Sequence, residues 1–261
     1  MATVGFIGTG SMGGALARAA AKSEKTGTLL LANRSAAKAQ KLADELGGEV
    51  ADNREAAARA DVLFLGVKPQ GLAAMAEGIS DVLAKRGRCI IVSMAAGWEI
   101  ARLQKLFPGK AVVRILPNIP VAAGCGVTLL CHAPDVTAQE LALVKELLAA
   151  SGTVSELDEH LLDAASGVTG CGPAFAAMFV EALADGAVAC GLPRAEALRF
   201  SAQMLKGTAE LLLQSGEHPG SLKDRVCSPA GSTIQGVRTL EQRAFRAAVT
   251  DAVIATWEKE F

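Results

Sequence analysis

Residues 4–13 read Val-Gly-Phe-Ile-Gly-Thr-Gly-Ser-Met-Gly, and nothing else in the chain restricts the fold so sharply. Val4–Ile7 has the character of a short buried strand. Gly8, Gly10 and Gly13 follow with G-x-G-x-x-G spacing, and an alanine-rich helical pattern runs on to about Lys22. Glycines allow a tight turn and a close approach of an anion to the backbone. The helix start then offers free N–H groups and the positive end of its dipole to a pyrophosphate. The spacing alone is weak evidence, but a strand before it and a helix after it, at the head of a βαβ pattern, make it a dinucleotide-binding signature.

The rest of the first half extends this pattern. Strand-like runs at Thr28–Ala32, Val62–Val67, Cys89–Val92, Ala111–Leu116 and Val127–Cys131 alternate with helical segments, among them Ala36–Leu46 and Ala138–Ala150. Continuous apolar strands separated by helices predict a doubly wound parallel sheet covered on both faces, that is, a Rossmann-type α/β domain. From about Asp158 the strand-like runs stop. Pro173–Cys190, Arg194–Leu213 and roughly Thr233–Lys259 read as helices, with a stop and restart at Gly191-Leu-Pro193. The boundary is expected between 157 and 158, giving a dinucleotide-binding domain over 1–157 and an all-helical domain over 158–261. The helix from Pro173 is apolar on nearly every face except at Glu181 and Asp185, so it must be buried. About a hundred residues provide little core for that, and the expected cover is a second copy of the chain. Glu181 and Asp185, at i and i+4, share one face and read as a wet stripe or a helix–helix contact.

Composition removes other classes. The formal net charge is −1 over 261 residues, with charged residues at 20% and hydrophobic residues at 51%. That is too apolar for a disordered chain and lacks the basic excess of a nucleic-acid surface. The longest nearly uncharged stretch, Ala164–Val180, contains three glycines and a proline and then meets Glu181 and Asp185, so no membrane partner is expected. No signal-peptide pattern stands at the start. The six cysteines form no C-x-x-C and lie at no zinc-ligand spacing with the three histidines. They read as buried or half-buried thiols of a reducing, cytoplasmic compartment, and no metal is expected.

Two further segments refine the chemistry. An acid commonly ends the second strand where a ribose 2′-hydroxyl is bound, but here Asn33-Arg34-Ser35 stands instead. A guanidinium suits a 2′-phosphate, so NADPH is the expected cofactor, with NADH a weaker donor. Gly66-Val67-Lys68-Pro69 and Ser93-Met94-Ala95-Ala96-Gly97 end neighbouring strands, where a cofactor of an open parallel sheet lies. Near the C-terminus, Ser228-Pro-Ala-Gly-Ser-Thr233 turns into a helix and can hold a small carboxylate on backbone N–H groups and hydroxyls, though a plain capping turn reads the same.

Taken together, Gly5-Phe-Ile-Gly-x-Gly-x-Met12, Asn33-Arg34, Asp61-Val-Leu-Phe-Leu-Gly-Val-Lys-Pro69, Arg114-Ile-Leu-Pro-Asn118, Gly170-Cys-Gly-Pro-Ala-Phe175 and Ser228-Pro-Ala-Gly-Ser-Thr233 resemble the pyrroline-5-carboxylate reductase family over nearly the whole chain. The resemblance implies cofactor contacts from Ile7, Gly8, Thr9, Gly10, Ser11, Met12, Asn33, Arg34, Ser35, Asn53, Gly66, Val67, Lys68, Pro69, Met94, Ala95 and Ala96. It implies a substrate carboxylate held by Ser228, Gly231, Ser232 and Thr233, with the Thr233 hydroxyl reaching the ring nitrogen as the catalytic contact. It also implies a homodimer or larger ring formed through the helical domain. The implied activity is NADPH-dependent reduction of 1-pyrroline-5-carboxylate to L-proline, the last step of proline biosynthesis. Cys171, Phe175, Leu116 and Ala230 depart from the usual serine, tyrosine, methionine and glycine. A reductase of another cyclic imino acid and a β-hydroxyacid dehydrogenase-like enzyme are the alternatives. The second would need a lysine base early in the helical domain, and none stands between Lys145 and Lys206. A cofactor-binding regulator without catalysis would leave Ser228–Thr233 with no role beyond capping.

Overall fold

The computed structural model describes residues 1–258. In the first compact unit, β1 (Ala2–Ile7) leads through the glycine bend into α1 (Ser11–Ala20). There follow β2 (Thr26–Ala32), α2 (Ala36–Leu46), β3 (Glu49–Val50), α3 (Asn53–Arg59), β4 (Val62–Leu65), α4 (Leu72–Lys85), β5 (Ile90–Ser93) and α5 (Ile100–Leu106). The unit continues with β6 (Ala111–Pro117), β7 (Gly126–His132), α6 (Ala138–Leu148), β8 (Gly152–Glu156) and α7 (Leu162–Thr169). The strands form one sheet in the order β3-β2-β1-β4-β5-β6-β7-β8. β4 and β5 are buried along their whole length, as expected of strands with helices on both faces. Phe6 and Phe64 stack across the β1–β4 pair with centroids 4.6 Å apart.

The helices begin and end where local chemistry dictates. Gly47 closes α2 at φ +67° and donates its N–H to the Ala43 carbonyl. Asp52 caps α3 by accepting from the Glu55 N–H at 2.7 Å. Thr137 and Glu140 form a reciprocal capping box at α6, and Arg88 adds a fork onto the Glu140 carboxylate at 2.7 and 3.0 Å. That guanidinium, with help from the Thr137 hydrogen bonds and against the upward push of burial, holds the Glu140 pKa at about 2.

The sheet departs from the sequence expectation in three places. β6 and β7 pair antiparallel rather than parallel. Only residues 118–125 join them, and a parallel crossover needs a dozen or more residues. The short edge strands β3 and β8, absent from the sequence reading, pair parallel with β2 and β7. The division between compact units falls between Gly170 and Cys171, later than the expected 157/158. The physical cause is α7. Leu162 is wholly buried in the sheet unit's core. Arg114 on β6, 2% exposed, pairs with Glu159 at 3.1 Å and Asp163 at 3.3 Å. Asn118 accepts from the Val127 N–H and donates to the Thr169 carbonyl, both at 2.9 Å. Arg114 within β6 and Asn118 just past its end thus fasten α7 at both ends.

The second unit contains α8 (Gly172–Ala189), α9 (Arg194–Ser215), α10 (Pro219–Val226), α11 (Ser232–Gln242) and α12 (Phe245–Trp257). The long C-terminal helix expected from Thr233 to Lys259 is in fact two helices, broken at Arg243–Ala244, where Ala244 adopts φ +57°; Lys259 lies outside the described residues. α10 occupies a stretch not read as helix, with Pro219 in its first turn and the His218 ring accepting from the Gly220 N–H. Asp185 of α8 pairs with Arg194 at the start of α9. Little of this unit is buried within itself: Ala184 is the one buried residue of α8, and Met178 (68%), Leu213 (80%) and Trp257 (62%) stand out into solvent. The run Glu159–Ala189, comprising α7 and α8, is long and apolar enough to cross a membrane by length and composition. All six cysteines are free thiols. Cys89 and Cys131 are buried and Cys171 and Cys227 half-buried as expected, but Cys125 and Cys190 are exposed, contrary to the sequence reading.

Candidate active site

The parallel register sets one row of chain exits. Ile7 lies beside Ala32 and Leu65, and Leu65 beside Ser93. Backbone bonds extend the ladder one step beyond the strands: Gly8 N–H to the Ala32 carbonyl, Gly66 N–H to Ile7, and Met94 N–H to Leu65. Residues 8–12, 33–35, 66–69 and 94–96 therefore leave the sheet side by side at its C-terminal edge. Asn53, exposed at the first turn of α3 just after β3, lies at the same edge. The strand order reverses direction between β1 and β4, which is where an open α/β sheet forms its ligand crevice.

The glycines divide into two kinds. Gly8, at φ +94°, Gly13 and Gly66 press against one another: a Cβ on Gly13 or on Gly66 would collide with the Gly8 carbonyl oxygen, and one on Gly8 would sit 2.7 Å from the Gly66 carbonyl. These three close β1, α1 and β4 onto each other. A Cβ on Gly10, by contrast, would meet nothing within 4 Å. Gly10 is the N-cap of α1, with no side-chain cap and no acid in the first turn, so the opening N–H groups face an anion without competition. The buried Thr9 hydroxyl beside it has no hydrogen-bond partner. An open glycine, unclaimed helix amides and an orphaned hydroxyl together fit a pyrophosphate. Arg34 is exposed at the end of β2 with no carboxylate partner among the described residues, which suits a 2′-phosphate. Lys68 is exposed and Pro69 half-buried on the neighbouring exit.

In the helical unit, Ser228-Pro-Ala-Gly231 forms a turn closed by the Gly231 N–H on the Ser228 carbonyl at 3.0 Å. Proline holds its second position and Ala230, at φ +60°, its third, a left-handed conformation that glycine adopts more easily. Gly231 is the N-cap of α11, again with no side-chain cap and no acid in the first turn. A Cβ there would collide with the Ser228 hydroxyl. Ser232 and Thr233 open the helix with exposed side chains. In the preceding helix α10, Lys223 pairs with Asp224 and Arg225 pairs with Glu217. The segment thus presents hydroxyls and amide hydrogens to a small carboxylate. Of the departing residues, Cys171, Phe175 and Leu116 are half-buried and Ala230 is exposed.

The chain aligns along 98% of its length with the Escherichia coli pyrroline-5-carboxylate reductase, at 37% identity and over 96% of that protein. The chain belongs to the pyrroline-5-carboxylate reductase family. A relative of the same name from Synechocystis is 43% identical over 80% of this chain and 77% of its own. Residues 159–260 match the family model "Pyrroline-5-carboxylate reductase dimerisation", and residues 3–97 match "NADP oxidoreductase coenzyme F420-dependent". Among solved structures, a pyrroline-5-carboxylate reductase from Coxiella burnetii superposes with a TM-score of 0.90 at 26% identity, covering 98% of this chain and 96% of that one. The Plasmodium falciparum pyrroline carboxylate reductase, solved with NADP bound, gives 0.85 at 28% identity with the same coverage. The expected Rossmann-type fold and family are those found.

The sequence reading passed over some residues that shape the site. The motif spacing alone gives Gly13 no packing role and marks Gly66 only as a cofactor contact. Trp98, just beyond the Ala95–Ala96–Gly97 exit, was not singled out. An aromatic residue directly after a small-residue strand exit was the signal available.

Proposed function

We infer that the protein reduces 1-pyrroline-5-carboxylate to L-proline with NADPH. The observation that carries this reading is the likeness along essentially the whole chain to reductases of that name, joined to an exposed Arg34 guanidinium just past β2 that has no carboxylate partner among the described residues. When bound, NADPH supplies the hydride that the C=N carbon accepts, while the ring nitrogen takes a proton. The Gly8–Met12 bend and the first amides of α1 hold the pyrophosphate; Asn33, Arg34 and Ser35 hold the 2′-phosphate; Asn53 and the exits at 66–69 and 94–96 border the rest of the cofactor.

The Ser228–Thr233 turn holds the substrate carboxylate on the Gly231–Thr233 amides and hydroxyls. The Thr233 hydroxyl contacts the ring nitrogen. A threonine hydroxyl is a weak acid, so its role is to orient the imine and relay a proton. Alignment of bound reactants can contribute about 7–11 kcal/mol in favourable cases, so a site of this kind needs few reacting side chains.

The first unit thereby serves as the NADPH-binding domain, and the helical unit binds substrate and pairs copies of the chain. The exposed apolar residues of α8, α9 and α12 support a homodimer or larger homo-oligomer as their cover in place of lipid. Glu181 and Asp185 break the apolar surface of α8, and α7 is fastened by ion pairs and hydrogen bonds. Free thiols fit a reducing, cytoplasmic setting.

The deciding assay follows NADPH oxidation with five- and six-membered cyclic imino acids. Turnover with the five-membered ring is expected, and its absence while the six-membered ring reacts would reassign the substrate. Equal kcat/KM with NADH and NADPH would remove the role given to Arg34.

A further inference from the structure

The exits at 66–69 and 94–97 are tied to each other by a side chain that neither the family signature nor the cofactor motif includes. Trp98 lies in the loop between β5 and α5, yet it is only 6% exposed. Its indole N–H donates to the Pro69 carbonyl at 3.1 Å, across to the other exit. The exposed Arg102, in the first turn of α5, lays its guanidinium 3.6 Å above the indole ring. Just past the loop, the Ile100 N–H at the start of α5 donates to Glu159 at 2.8 Å, and Arg114 holds that carboxylate in turn. Gly97, at φ +73°, makes the sharp bend that directs the indole back toward Pro69. The small residues Ala95 and Ala96 are therefore slung between anchors. Their backbone cannot shift without breaking the Trp98–Pro69 bond or uncapping α5.

We propose that Trp98, supported by Arg102, is a positioning residue for NADPH: it fixes the spacing of the 66–69 and 94–97 segments before the cofactor arrives. The proposal rests on the reading of those segments as cofactor-bordering, and no contact of Trp98 with the cofactor is required. A binding edge made of two loops has an ordering cost on closure, and a preformed tie between them removes it. Losing the tie therefore weakens cofactor affinity and leaves chemistry and substrate binding alone.

The test is calorimetric titration of NADPH into the wild-type protein, Trp98→Phe and Arg102→Ala, with steady-state kinetics and melting of the cofactor-free proteins alongside. Phenylalanine keeps the apolar ring and loses the N–H. The expected result for Trp98→Phe is a Kd for NADPH raised about three- to tenfold, the equivalent of one net hydrogen bond. The KM for NADPH should rise in parallel, with kcat and the imino-acid KM unchanged. Arg102→Ala should raise the Kd by about twofold, as for an exposed cation–π contact, without lowering the melting temperature. A purely structural tryptophan would instead lower the melting temperature of Trp98→Phe while both variants bound NADPH like the wild type, and that result overturns the proposal. So does a fall in kcat equal to the fall in kcat/KM. Absence of NADPH binding by the wild-type protein sinks the functional reading as well, whereas normal binding by all three proteins sinks the role of Trp98 alone.

Discussion

The two compact units are made of similarly apolar sequence and treat it in opposite ways. The sheet unit encloses its apolar residues: β4 and β5 disappear into a core that also takes in Leu16, Leu72, Leu103 and Leu147. The helical unit buries Ala184, Ala197, Ser201 and Leu222 and leaves Met178, Phe200, Leu213, Val249 and Trp257 outside. A sheet wound on both faces completes its core within one chain. Helices of this composition have only one another, and a small unit has too little interior to enclose them. The difference teaches that hydrophobicity reports a need for cover without naming its source.

The strongest way to break this comparison is a charge on each surface. Met178→Glu puts an unpaired carboxylate on the exposed apolar face of α8, where pairing of copies would bury it at a cost of several kcal/mol. Light scattering after gel filtration should show the wild-type protein as an oligomer and the variant as a monomer. Ile119→Glu, at a 74% exposed position of the sheet unit, should leave the mass unchanged. A monomeric wild type, or an intact Met178→Glu oligomer, would end the argument.

Within the sheet unit, Gly66→Ala should destabilise by about 3 kcal/mol, the upper end of overpacking, because its methyl meets backbone and not a movable side chain. Gly10→Ala has open space and should melt like the wild type while losing about tenfold or more in NADPH affinity if the pyrophosphate lies against it. Similar melting temperatures for the two variants would erase the distinction between packing and ligand glycines.

In the helical unit, Thr233→Ala removes an exposed side chain and should not alter melting. Its kcat/KM should fall about tenfold or more, near 1.4 kcal/mol, if the hydroxyl engages the transition state. An unchanged kcat/KM would refute its role.

A smaller effect belongs to the capping box of α6. The Glu140 carboxyl sits at about 2, below its ordinary 4.5. Its contribution is present above pH 4.5 and is lost as pH falls through the folded-state value near 2. Glu140→Gln should therefore cost about 1 kcal/mol at neutral pH in chemical denaturation, with the gap to wild type closing on acidification across that window. The smallest change is expected at Ala230. Glycine there relieves the left-handed strain but frees the unfolded chain, for a net gain of about 0.5 kcal/mol. A loss of stability would mean that the φ +60° turn carries no strain.

Much of the sheet unit was legible because its signals are local. The apolar run Val4–Ile7, the glycine spacing after it and the Ala36–Leu46 periodicity each report on a few consecutive residues, and the structure forms those elements where they were expected. What was missed depends on distant partners. β3 has two residues and becomes a strand only by pairing with β2. The direction of β7 follows from a short connection, and the break at Ala244 has no glycine or proline to announce it. Arg114 and Asn118 were recognised as a motif, but their grip on α7 needs atoms 45 to 51 residues away in the chain. The same holds for the site: Gly8, Gly10 and Arg34 could be named from spacing and residue chemistry, and Thr233 from the family resemblance, while the tie between Trp98 and Pro69 could not.

The amino-acid order alone therefore determined the α/β class, the glycine bend at the helix start, the basic choice at the end of β2 and the change to helices near residue 158, since backbone freedom, periodicity and charge act between near neighbours. Tertiary structure decided that Gly66 is packing as well as edge, that α7 stays with the sheet, and that the apolar face of the helical unit lies open. Those outcomes depend on which surfaces meet through space, and free energies of burial and of long-range hydrogen bonds exist only once the chain has closed on itself.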